Sequence, residues 1–210
     1  MAFPIPDNSR KFDPAPAGLH EAVLVDIIDL GEVVEEYDGE TTFKHKMKLV
    51  WQLKARNMKI NERFQARATY TVSLGENSNF RKMLRSWRGR DFTPEELEGF
   101  DLKAVLGAPC MVSVIHSESG KARVDSVLKL PKGTKVPKQS NPSVFFSLEP
   151  EEFDADAYSS LSDWFKDTIA KSPEWAVLHK PKAAPVKEEE PVNDFEDGDP
   201  FYGADEEVPF

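Results

Sequence analysis

Residues 41–53, TTFKHKMKLVWQL, alternate without a break. Phe43, His45, Met47, Leu49, Trp51 and Leu53 fall on one side. Lys44, Lys46 and Lys48, followed by Val50 and Gln52, fall on the other. Successive side chains of an extended chain point to opposite faces, so this period of two is a strand with one apolar and one cationic face. Residues 63–74, RFQARATYTVSL, repeat the pattern, with Phe64, Ala66, Ala68, Tyr70, Val72 and Leu74 opposed to Arg63, Gln65, Arg67, Thr69 and Thr71. Upstream, residues 19–33 hold a dense apolar centre with acidic interruptions, and the Asp38-Gly39 pair marks the turn into the second strand.

Beyond residue 74 the period changes. In NSNFRKMLRSWRGR (77–90), Phe80, Met83, Leu84 and Trp87 recur at helical spacing, with Asn77 or Ser78 as the cap and Arg81, Arg85 and Arg88 on the opposite side. Thr93, Pro94 and Glu96 then spell a capping box with proline at the first helical position. Short strands resume at 108–116 and 122–130, joined across a glycine-containing turn. Three strands, a helical insert and two more strands make a mainly β chain in the element order of an OB-fold, the five-stranded, partly open barrel with a helix between strands three and four, an order that other small β-barrels could share. The expected organisation is an extended, proline-rich arm over 1–17 and the barrel over 18–131. A linker with one amphipathic helix (158–171) follows over 132–180, and then a disordered acidic tail over 181–210. That helix, with Trp164 and Phe165 on its apolar side, could pack on the barrel or pair two copies.

The net charge of −10 is unevenly spread: residues 1–140 carry net +3, 141–183 net −4 and 184–210 net −9. The low isoelectric point therefore leaves room for a nucleic-acid-binding body. One cysteine, Cys110, excludes an intramolecular disulfide, and its apolar surroundings suit a small buried residue. No signal-peptide core or membrane-length apolar run is present, so the expected setting is reducing and cytoplasmic. There is no phosphate-binding Gly-rich loop with lysine, no metal-binding Cys or His spacing and no paired catalytic constellation. The expectation is a non-enzyme with no cofactor and no metal.

The cationic strand faces point elsewhere. Lys44, Lys46 and Lys48 beside Arg63 and Arg67 would form one positive surface on adjacent strands, the face an OB-fold presents to single strands. Arg81, Arg85, Arg88 and Arg90 would extend it. Trp87 reads first as core from its place on the helix, and among those arginines it also qualifies as a stacking platform.

The chain closes on Asp205, Glu206, Glu207, Val208, Pro209 and Phe210. A terminal ring plus a free carboxylate is a two-part ligand for an apolar pocket with a basic neighbour. This ending resembles the acidic tip of bacterial single-stranded DNA-binding proteins, and residues 70–116 resemble a group of phage-encoded single-stranded DNA-binding proteins. The resemblance implies an OB-fold that coats single-stranded DNA regardless of sequence and recruits replication and recombination proteins through the tip, in a bacterial host's cytoplasm. The competing expectation is an adaptor or DNA mimic that works through its acidic third and never touches nucleic acid. On the first reading the tail competes for the basic surface. Truncation before Val186 should then tighten oligo-dT binding at low salt, with the gain shrinking as salt rises. A titration with unchanged low-salt affinity would dispose of that competition.

Overall fold

The computed structural model describes residues 13–140 and 142–179. The expected arm through residue 12 and the acidic tail over 181–210 lie outside the described residues. Strands β1 (Gly18–Tyr37), β2 (Glu40–Asn57) and β3 (Glu62–Thr71) come first, as two antiparallel hairpins. Helices α1 (Asn79–Arg88) and α2 (Pro94–Glu98) and a 3₁₀ turn (Leu102–Val105) follow, and then β4 (Pro109–His116) and β5 (Ala122–Leu128). Hydrogen bonding runs in the order β3-β2-β1-β4-β5. β3 and β5 touch without a ladder between them, so the sheet is open at that point.

The first core lies on the inner face of this curved sheet. Trp51, Leu49 and Leu53 of β2 meet Leu24 of β1, Val112 of β4 and the apolar side of α1, all essentially buried. The caps hold α1 in place. Ser78 Oγ accepts the N–H groups of Phe80 and Arg81, and Gly89 closes the helix in the left-handed region (φ 72°) while donating to Arg85 O. Trp87 is only 6 % exposed. Its Nε1 donates to Pro109 O at 2.9 Å, and its ring meets Trp51 edge-on at 6.5 Å. It is core, the reading its helical position favours. Cys110 is buried too, and burial pushes its thiol up, away from reactivity. Phe43, on the same strand face as Trp51, stays exposed because residues 32–44 pair only within their own hairpin.

β1 carries two bulges, one between Leu24 and Asp26 and one between Asp29 and Gly31. An extra residue reverses the parity of a strand. Leu24 and Ile27 therefore face the first core, while Ile28 and Leu30 turn to the opposite face and enter a second one. The cover for that face comes from the segment expected to be a linker. β6 (Val144–Phe146) adds to β1 in parallel at Asp26–Ile28. Three short helices, α3 (Ala155–Ser160), α4 (Asp163–Ile169) and α5 (Pro173–Leu178), pack Leu161, Phe165 and Ile169 onto Ile28 and Leu30.

The single helix expected over 158–171 is thus replaced by three pieces. Ser159 and Ser160 donate their hydroxyls back to Ala155 and Ala157 carbonyls, and Leu161 and Ser162 take extended conformations that end α3. Pro173 does end the preceding helix, but it also occupies the first turn of α5 behind the Ser172 cap.

The second bulge is the seat of α5. Gly31 has φ 69°, and a Cβ there would lie 2.6 Å from Ser172 Cβ and 2.7 Å from the Glu174 carboxylate. That carboxylate accepts the Glu32 N–H at 3.1 and 3.0 Å. Asp29 accepts from Gly31 N and Leu148 N, and His45 Nε2 meets Asp29 Oδ1 at 2.7 Å with Nδ1 3.6 Å from Glu174.

His45 is held above its ordinary value of 6.5, first by the Asp29 hydrogen bond, and burial works against it. A raised imidazole contributes stability that is complete below 6.5 and is lost as pH rises through the raised value. The wild-type midpoint in thermal denaturation should therefore drop by a few degrees across that upward window. His45→Gln should remove this slope while melting earlier at pH 6. Identical pH profiles would refute the clamp.

Candidate functional site

The structure sorts the cations that the sequence singled out into two groups, those with an internal carboxylate and those without one. Around α1, two carboxylates hold all four arginines. Asp91 takes Arg81 Nε at 3.3 Å and Arg85 at 3.6 Å. Glu96 takes Arg88 and, bidentately at 2.8 and 2.6 Å, Arg90, while also accepting the Thr93 N–H of its capping box. Arg88 further lies 4.3 Å from the Phe92 ring centre. These donors pull Glu96 down to about 2. The group works as a fastening for the loop after α1, with two carboxylates offsetting half of the charge of four arginines.

On β2, Lys44 (3.1 Å) and Lys46 both pair with Glu35 of β1, and Lys46 has a side chain only 17 % exposed. Lys48 donates to Thr69 Oγ1 at 2.9 Å and lies beneath the ring of Trp164 from α4. Burial, with Arg67 nearby, lowers its pKa. The C-terminal layer and the long hairpin have thus claimed much of the expected lysine face.

Five cations without a carboxylate within 4.0 Å gather beside β3, while others among the described residues, Lys48, Lys82 and Lys129 among them, also lack one and do not line this groove. Arg63 and Arg67 of β3, Arg56 of β2, and Lys121 and Arg123 at the start of β5 line a groove of about 880 Å³. It runs along the opening of the sheet, with Phe64, Ala66, Val114 and Ala122 among its lining. Its two carboxylates are Glu62 and Asp13, and Asp13 is held by Lys59 at 2.8 Å. Arg56 and Arg63 sit directly opposite one another in the β2–β3 register. Like charges so placed repel, and an anion between them would relieve this. Arg56 is turned toward Asn61, Arg67 donates to Gln65 Oε1 at 2.7 Å, and Nε and Nη1 of Arg63 are buried with no hydrogen-bond partner.

Residues 13–15 form part of this mouth. Ala15 is buried and its carbonyl accepts from His116 Nε2 at 2.7 Å, while His20 donates to the Pro16 carbonyl. At the far end of β3 a second groove of about 650 Å³ is lined by Lys44, Lys46, Thr71 and the Ser73–Asn79 turn. The outward row Arg63, Gln65, Arg67, Thr69 and Thr71 joins the two over about 26 Å, at about 3.3 Å per residue.

Arg56, Lys121 and Arg123 escaped the sequence reading. Arg56 and Arg123 occupy the outward phase of their strands, as Arg67 does. What hid them was the packing of β5 against β3, which only the strand order discloses. Residues 205–210, expected to bind partners, lie outside the described residues.

Neither family models nor curated proteins show a match to this chain.

Glu96→Gln should lower the melting temperature at pH 7, since Arg88, Arg90 and the cap share that carboxylate. A depressed carboxylate stabilises above its ordinary 4.5 and stops doing so as pH falls toward about 2. The gap between wild type and variant should accordingly narrow below pH 4.5. A constant gap in denaturation scans would show that the ionised carboxylate is not what matters.

Proposed function

We propose that this protein binds single-stranded DNA without sequence preference on an OB-fold, and that its acidic C-terminal tip recruits replication and recombination proteins. The observation that carries the reading is a cluster of charge: Arg56, Arg63, Arg67, Lys121 and Arg123, none with a carboxylate within 4.0 Å, line one groove beside β3. A phosphate chain gains most where it replaces no existing ion pair, and release of its counterions supplies the binding free energy. The fold assignment draws on the strand order β3-β2-β1-β4-β5, the approach of β5 to β3, and the helical insert between β3 and β4. A concave slot reached by cations from two facing strands suits one flexible backbone. A duplex presents its phosphates on a convex surface and reaches the rim alone.

The binding groups on this reading are Arg56, Arg63, Arg67, Lys121 and Arg123, with Lys48 beside Thr69 and, by exchange of their shared Glu35, Lys44 and Lys46 at the second groove. The four arginines around α1 are fold fasteners. If five phosphates are neutralised, the slope of log affinity against log salt is about −3.5 for a single strand.

Arg67→Ala with Arg123→Ala should weaken oligo-dT binding and make that slope shallower by about 1.4, two contacts at about 0.7 each. The double reversal to Glu should abolish binding while leaving the melting temperature near wild type. Filter binding or anisotropy across a salt series reads both. Undiminished affinity in the double reversal sinks this reading in favour of the adaptor.

A further inference from the structure

The track beside β3 has cations in abundance, but its described aromatic rings are largely committed to the core. Trp51 and Trp87 are buried, and Phe64 and Tyr70 pack against the first core. Sequence-tolerant binding gains its non-ionic share from stacking of bases on exposed rings. The ring that answers this need comes from the C-terminal layer. Trp164 is 55 % exposed on α4, whereas its neighbour Phe165 is buried in the second core and fixes the helix to the sheet. The indole meets Phe165 edge-on at 5.2 Å, and Thr168 Oγ1 donates to the Trp164 carbonyl at 2.8 Å. Lys48 Nζ lies 5.0 Å from the ring centre, and the same ammonium donates to Thr69 on the outward row of β3. Thr69 is two residues from Arg67, and Lys48 feels the Arg67 charge directly.

From this juxtaposition we infer that Trp164 is the base-stacking platform of the strand-binding track, supplied by the C-terminal helical layer. The inference rests on the strand-binding reading above and adds to it the group that takes the bases. Lys48 holds one face of the indole and leaves the ring exposed beside the row that would carry phosphates. A strand following Arg63, Arg67 and Thr69 passes that ring near the second-groove end of the track. Its bases turn away from the cations, toward the wall that α4, packed on β1, raises over Lys48 of β2. The cation beneath the ring ties it to the sheet, so little side-chain freedom is lost when a base arrives.

The full chain is titrated with oligo-dT and with an abasic deoxyribose-phosphate strand of equal length, as wild type, Trp164→Ala and Trp164→Phe. Trp164→Ala should bind oligo-dT about tenfold more weakly with an unchanged salt slope, because the ring carries no charge. Trp164→Phe should recover most of that loss, and the abasic strand should bind wild type and Trp164→Ala alike. Quenching of tryptophan fluorescence by oligo-dT should largely vanish in Trp164→Phe. Equal oligo-dT affinity of Trp164→Ala and wild type overturns the inference. So does a loss just as large on the abasic strand, which would mark a merely structural role. A dimer that dissociates in Trp164→Ala would place the ring in a self-interface and overturn it as well. Reversal of Arg67 and Arg123 separates the two levels. If that reversal abolishes binding while Trp164→Ala is neutral, only the platform fails; if the reversal changes nothing, the strand-binding reading itself fails.

Discussion

The fold depends on how β1 divides its apolar side chains between two cores. An unbulged strand of twenty residues would send every second one to the same face. With its two bulges, β1 gives Leu24 and Ile27 to one core and Ile28 and Leu30 to another. A side chain of this kind left in water would forgo roughly 1.5–3 kcal/mol of burial, so the outward-facing pair must be covered. The covering segment is Val144–Phe146 with the three short helices, and the left-handed backbone of Gly31 is where α5 settles onto the strand.

Regular alternation and helical spacing made most of the first core legible. Residues 41–53 and 63–74 announce strands because their period is unbroken, and Ser78, Thr93 and Gly89 mark helix ends through chemistry local to the chain. The acidic interruptions within 19–33 were the trace of the bulges. Asp26 and Asp29 accept backbone N–H groups from Val144, Gly31 and Leu148, a role invisible until the second layer is in place. β6 left no periodic signal because three residues are too few to show one. The serines of 159–162 looked compatible with one helix, yet their hydroxyls compete for the backbone and divide it.

The charged residues show a different limit. Alternation tells which lysines share a face, but it does not tell which carboxylate reaches them. Lys44 and Lys46 have the strongest sequence signature on β2, and both meet Glu35 across the hairpin. The arginines around α1 look like a basic helix stripe, and Asp91 and Glu96, just downstream, take all four. An incoming phosphate must displace such a carboxylate before it gains anything, so a paired cation offers an exchange where an unpaired one offers a new contact. Arg63 and Arg67 stand out in the sequence already; Lys121 and Arg123 make a modest impression there and join them in space because two strands distant in sequence are packed together.

These threads meet at α4. The bulges turn Ile28 and Leu30 outward, and burying them brings Phe165 and Ile169 down onto the sheet. Once Phe165 is committed, its neighbour Trp164 has to emerge at the edge of that layer, over Lys48 and beside the outward row of β3. A change in strand parity some 140 residues earlier in the chain thus positions an exposed indole next to the unpaired cations. The covering layer therefore does two things with one set of contacts. It removes the apolar face of β1 from water, and it turns the flank of an otherwise flat cationic strand into a wall that carries a ring.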